Sequence, residues 1–274
     1  MTTSLRSAAP STTIPGEISL RVTQGRVVLS EWTKLRSLRS TISTLLTATV
    51  VMIGLGAMFA AITASQSTGF QPGTTAISTS LTGTFFAQLA VGVLGVLLIT
   101  GEYSTGMIRS SLTVVPSRLP MLWAKLAVFA VAVFLTMLAA GCTSFFVGQA
   151  LLGHRLNASL SDSGAIRSVL GSALYLTVAG LTAIALGTLL RNTAASITTF
   201  VAVYFVIPPL TNLLPTSLTD HVVQYLPSNA GAVMLDGTFG LAHPLSPWTG
   251  FAVMCTYAVV LTGFAAWRLC RVDA

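Results

Sequence analysis

The sequence predicts an all-α integral membrane protein of six transmembrane helices with both termini in the cytoplasm, and three observations carry that prediction. Of 274 residues, 53% are hydrophobic and only 8% are charged, against roughly 25% charged in a soluble domain. The charges are also segregated. Asp, Glu, Lys and Arg are absent from 40–101, 126–154, 168–190, 192–219 and 237–267, and a charge left in hydrocarbon costs roughly 3 kcal/mol or more. Finally, 12 of the 14 Lys and Arg residues fall on one side if the N-terminus is inside, leaving Arg155 and Arg167 outside, which is the asymmetry of cytoplasmic loops.

Taken in order, residues 1–17 are rich in Ser, Thr, Ala and Pro and are expected to be a disordered cytoplasmic tail. No short apolar stretch typical of a cleavable signal stands at the start, so the first span is the expected insertion signal. Residues 18–39 read as an amphipathic interfacial helix. Val28, Leu29, Trp32 and Leu35 recur at three- and four-residue spacing, with Glu31 and Lys34 placed on the opposite side. A simple basic stop before the first span is the alternative, but it would not need Trp32 on the same face as Val28 and Leu35.

Residues 40–270 form the six-span domain. A bilayer core about 30 Å thick needs about 20 helical residues, so the first interval holds two helices joined across Ser65–Gly73. The spans are expected near 41–63, 80–100, 122–151, 167–190, 194–214 and 247–268. Trp123 and Trp267 fall at inner boundaries and Trp248 at an outer one, where amphipathic rings settle. The net charge of +7 follows from this topology and from anionic lipid, and gives no case for nucleic acid.

The second connection, Gly101–Pro120, has Met107, Ile108, Ser111 and Leu112 on one face of a short helix, with Arg109 standing away and Pro116 helping to stop it. Such a helix suits docking into a groove on a partner, or else lies on the membrane; the pattern alone leaves both open. Gly101 and Gly106 have the spacing of a phosphate-binding loop, but Met107 and Ile108 stand where Lys and Ser or Thr are needed, so ATP is expected on another chain. Between 215 and 247, apolar pieces broken by Pro227 and Gly237 are candidates for re-entrant helices sheltered by protein.

Catalytic chemistry is not expected. The long intervals hold no carboxylate or lysine, and no HExxH or GxSxG is present. Asp220, His221, Asp236 and His243 match no common metal spacing. Cys142, Cys255 and Cys270 are scattered and read as buried thiols. Gly141 with Gly148, and Gly180 with Gly187, each share a helix face and are expected to mark close helix contacts.

The segments LSEWTKLRSLRST, GEYSTGMIRSSL followed by VPSRLPMLWAK, LLRNTAAS and YLPSNAG resemble the ABC-transporter permeases of the type-2 exporter family, particularly those of high-GC Gram-positive bacteria. The resemblance implies a stand-alone permease subunit in the cell membrane that pairs with a second permease, as a homodimer or heterodimer. It also implies an ABC ATP-binding subunit beneath it, with ATP and Mg held on that partner rather than on this chain. Glu102, Met107, Ile108, Arg109 and Leu112 would couple the two, Val28, Trp32 and Leu35 would belong to the interfacial helix, and Phe85, Phe86, Gln88, Thr199, Phe200 and Tyr204 would line the substrate pathway. The implied cargo is a lipophilic drug, antibiotic or peptide moved outward. A membrane scaffold or sensor that anchors a partner ATPase without transport is the alternative.

Overall fold

Six apolar helices make up the body of the protein: Arg39–Ser65, Ala76–Tyr103, Leu119–Leu152, Ala165–Leu190, Thr193–Leu210 and Pro247–Arg271, hereafter spans 1 to 6. The computed structural model describes residues 24–65, 74–104, 118–153, 158–213, 222–235 and 244–271. The expected tail, the residues Met107, Ile108, Arg109 and Leu112, and both Asp–His pairs lie outside the described residues. Among the described residues every regular element is helical.

Span 4 is the axis of the bundle. Of its most apolar stretch, 78% is buried, against 22% for span 1 and 17% for span 5, and it packs on spans 2, 3 and 6. Small residues permit this closeness. A Cβ on Gly180 would meet the Phe129 ring, one on Gly187 would meet Ile99, one on Gly141 would lie 2.8 Å from Ser172 Oγ, and one on Gly148 would run into Ser80. All four glycines expected at helix contacts are therefore at them.

Polar contacts pin the same packing. Ser144 Oγ donates to the Ser80 carbonyl at 2.7 Å, and Gln149 Nε2 donates to Ser80 Oγ at 2.9 Å and to the Ala76 carbonyl at 3.1 Å. These bonds tie span 3 to the start of span 2, and Gly83 is close enough to Met52 of span 1 that a Cβ would collide with its backbone.

Span 5 differs from expectation. It is expected to run to 214, but its α-helix stops at Val201, continues as a π-helix over Ala202–Val206, and resumes only over Ile207–Leu210 before a 3₁₀ turn, Thr211–Leu213. Pro208 and Pro209 remove two backbone donors, which is enough to loosen the helical ladder there. Span 2 is also interrupted, at Leu81 and Thr82, where the chain turns between two helical pieces.

The sheltered segment expected between spans 5 and 6 is present as a short helix, Pro227–Ala232, flanked by 3₁₀ turns. Residues 227–234 are all buried. Gly250 of span 6 abuts the Ala230 carbonyl, Gly231 lies against Tyr175 of span 4, and a Cβ on Gly171 would stand 2.9 Å from Met234 Cβ. The three cysteines depart from their expected burial: Cys142 and Cys255 are half-buried and Cys270 is exposed.

Candidate functional site

One end of the bundle carries a cluster of four charges drawn from three elements. The leading helix, Gln24–Ser37, contributes Glu31 and Lys34. Span 2 ends at Glu102 and Tyr103, and span 3 contributes Lys125. Lys125 Nζ lies 2.8 Å from Glu31 Oε2 and 2.8 Å from Glu102 Oε1; Lys34 Nζ lies 2.9 Å from Glu31 Oε1 and 3.8 Å from Glu102 Oε1.

Burial makes this cluster more than a surface pairing. The side chains of Lys125, Glu31 and Glu102 are 2%, 5% and 12% exposed, and only Lys34, at 35%, reaches outward. A buried lysine is tolerable because two carboxylates face it, and each carboxylate in turn is neutralised by an ammonium. Burial alone would raise the Glu31 carboxyl, but Lys125 and Lys34 outweigh it and hold the group below its ordinary range. Burial likewise works against the Lys34 ammonium, yet Glu31 and Glu102 raise it above its ordinary value.

This corrects the expected face of the leading helix. Glu31 was placed away from the apolar stripe, yet it points into the bundle together with Val27 and Leu35, while Leu29 and Trp32 are 65% and 39% exposed. Val28 is half-buried. The inward face is turned by about a quarter turn from the apolar stripe, because the buried Lys125 ammonium offers the Glu31 carboxylate a partner that water need not supply.

Two further contacts tie the same end together. Arg268 of span 6 donates through Nη1 to the Leu189 carbonyl, one of the last carbonyls of span 4 and without a helical partner of its own. Arg191, in the left-handed region at φ 54°, stands 5.5 Å from the centre of the Tyr103 ring. Beside the cluster a cavity of about 290 Å³ lies among the leading helix and spans 1, 2 and 3, with Leu35, Leu94, Leu98 and Val128 on its walls.

The cluster grips both roots of the connection 105–117. Glu102 precedes that connection by three residues, and Lys125 follows it within span 3. Of the expected coupling residues, Glu102 is placed in the cluster; the other four lie outside the described residues.

The six expected pathway residues fall into two groups. Gln88, Phe200 and Tyr204 are fully buried where spans 2 and 5 meet, with the Phe200 and Tyr204 rings stacked 4.7 Å apart and Tyr204 OH donating to Thr182 Oγ1 at 3.3 Å. Phe85 and Thr199 are half-buried, Phe85 meeting Phe205 at 5.2 Å. Phe86 is 43% exposed and stacks on Phe59 of span 1.

Sequence reasoning missed the role of Lys125, which served only to bound an apolar interval and to count among the inner basic residues. Its signal was available: it lies beyond Pro120 and Trp123, already inside the span, where a lysine needs a carboxylate. Tyr175 was also missed; its hydroxyl donates to Gln88 Oε1.

Comparison with family models finds a match over residues 27–208, described as ABC-2 family transporter protein. The matched region takes in most of the leading helix, spans 1 to 4 and most of span 5, and so contains the whole charge cluster. Comparison with curated proteins gives no match.

Proposed function

The chain belongs to the ABC-2 transporter family, a multi-pass membrane permease, and from this we propose that it is the membrane half of an exporter driven by a separate ABC ATP-binding subunit. ATP and Mg belong to that partner. The connection 105–117 is the element on which the partner docks, and the cytoplasm is the side on which both termini lie.

The observation that carries this reading is the cluster of Glu31, Lys34, Glu102 and Lys125 around the roots of that connection. A docking element transmits force only if its base is stiff. Here, a push on the connection reaches span 2 through Glu102, span 3 through Lys125 and the leading helix through Glu31, before side-chain slack absorbs it. The sequence also supports an external energy source, because the long apolar intervals contain no carboxylate to carry protons.

Pairing with a second permease is supported by the thin burial of spans 1 and 5. Leu46 and Val50 on span 1 are 59% and 67% exposed, and Leu210 and Leu213 at the end of span 5 are 52% and 81% exposed. Membrane lipid covers the remaining apolar surface. Cargo moves along the interface of spans 2 and 5, past Phe85, Phe86, Gln88, Thr199, Phe200 and Tyr204, and is a lipophilic drug, antibiotic or peptide.

The test is reconstitution with the ATP-binding subunit in sealed vesicles. Glu102→Gln weakens the link between connection and bundle while leaving the docking face intact, so the complex should assemble with ATP hydrolysis no longer stimulated by cargo. Stimulated hydrolysis equal to wild type would remove the cluster from the mechanism. Assembly without any cargo movement by wild type would instead favour an anchoring scaffold.

A further inference from the structure

Spans 2 and 5 run antiparallel, and their contacts fix a common register. Gly92 receives the Phe200 ring so closely that a Cβ would overlap it, and farther along the rings of Phe85 and Phe205 meet. Gln88 falls between Gly92 and Phe85 on span 2, and Tyr204 falls between Phe200 and Phe205 on span 5. The two residues therefore share one level of the interface, and both are 0% exposed.

At this level the hydrogen bonding does not close. Gln88 Oε1 accepts from Tyr175, but among the described residues Gln88 Nε2 has no partner, and neither has Thr84 Oγ1 one turn away on the same span. Thr84 is 1% exposed, and the carbonyl it would ordinarily use, that of Ser80, already accepts from Ser144. On span 5, the carbonyl of Tyr204 would pair with the N–H of residue 208 in an α-helix or of residue 209 in a π-helix. Both are proline, so neither register gives that carbonyl a partner. A buried donor and a buried acceptor without partners thus share a level, and such groups are normally satisfied by a third.

We propose that this level is a binding site for one neutral group that both accepts and donates a hydrogen bond, a hydroxyl or an amide, accepting from Gln88 Nε2 and donating to the Tyr204 carbonyl. Water takes the place when the site holds nothing else; a neutral amphiphile bearing a hydroxyl or amide takes it in passage. A charged head is excluded, because 40–101 and 192–219 offer it no counter-charge. Only the amphiphile rests on the permease reading; the water does not.

The test uses purified chain in lipid nanodiscs, without ATP or partner. The probes are a long-chain primary alcohol with a diazirine on its chain and the O-methyl ether of the same compound, which accepts but cannot donate. The alcohol should label spans 2 and 5 beside Gln88 in preference to the ether, and the near-isosteric Gln88→Met should lower its labelling roughly three- to tenfold, the worth of one neutral hydrogen bond. A second arm measures thermal midpoints. Pro208→Ala with Pro209→Ala returns the N–H groups that pair the Tyr204 carbonyl, so Gln88→Met should lose less stability in that background than in wild type. Such coupling without selective labelling identifies water as the occupant and supports the site. Equal labelling by both probes together with additive midpoints would overturn it. Binding by a chain that transports nothing would leave the site standing and defeat only the exporter.

Discussion

Lys125 of span 3 stands 2.8 Å from Glu102 of span 2 and, at the same distance, from Glu31 of the leading helix, so a single ammonium joins three elements that the chain reaches far apart. It does so with 2% of its side chain exposed.

Removing that ammonium leaves two buried carboxylates with only Lys34 to share. Lys125→Met should therefore destabilise the purified protein by about 3–5 kcal/mol, read as a lowered midpoint in a detergent unfolding series. Adding Glu31→Gln to Lys125→Met should restore part of the loss, because one uncompensated charge goes with it. Simple additivity of the two would mean that the residues do not interact.

The same cluster predicts a broad pH plateau. The Glu31 carboxyl is held below its ordinary 4.5, so its contribution is present above that value and is lost as pH falls through the lowered folded value. The Lys34 ammonium is raised above its ordinary 10.5, so its contribution is full below that value and is lost as pH rises through the higher folded one. Protection of the leading helix from proteolysis should be flat between roughly pH 5 and 10 and fall outside it. A step near neutrality would contradict the pairing.

Glycine positions separate packing from mere tolerance. Gly148→Leu and Gly187→Leu drive a side chain into Ser80 and Ile99, whereas Gly54 and Gly263 have no heavy atom within 4 Å of a Cβ. The first two should sharply reduce folded yield on size-exclusion chromatography, and Gly54→Leu and Gly263→Leu should not. Equal yields for all four would mean that these helices do not approach as described.

Orientation is tested by labelling. In a chain with Cys142, Cys255 and Cys270 replaced by Ala, Ser161→Cys in the exposed turn before span 4 and Ser37→Cys at the exposed end of the leading helix lie at opposite ends. An impermeant maleimide added to intact cells should label the first and spare the second. The reverse would invert the topology.

Much of this was legible in the sequence because hydrocarbon is a severe filter. Charge-free intervals located all six spans, and glycine spacing located four of their close contacts, though not the tighter ones at Gly83 and Gly92. What escaped was where polar groups find one another. Glu31 was read only as lying opposite the apolar stripe because its buried partner, Lys125, is 94 residues away, and periodicity within one helix carries no news of a distant ammonium. The π-helix in span 5 was hidden for a related reason: Pro208 and Pro209 announce a disturbed ladder, but not whether the chain kinks, ends or widens its turn.

The central claim is that the connection between spans 2 and 3, held at its roots by the charge cluster, is where an ATP-binding subunit attaches. The direct measurement is co-purification of that subunit with a chain carrying Met107→Ser, Ile108→Ser and Leu112→Ser, since buried apolar side chains contribute roughly 1.5–3 kcal/mol each. The account predicts that the triple variant folds and reaches the membrane but loses the ATP-binding subunit, while Arg109→Ala keeps it and loses cargo-stimulated hydrolysis. A triple variant that retains the subunit and still exports would contradict the account.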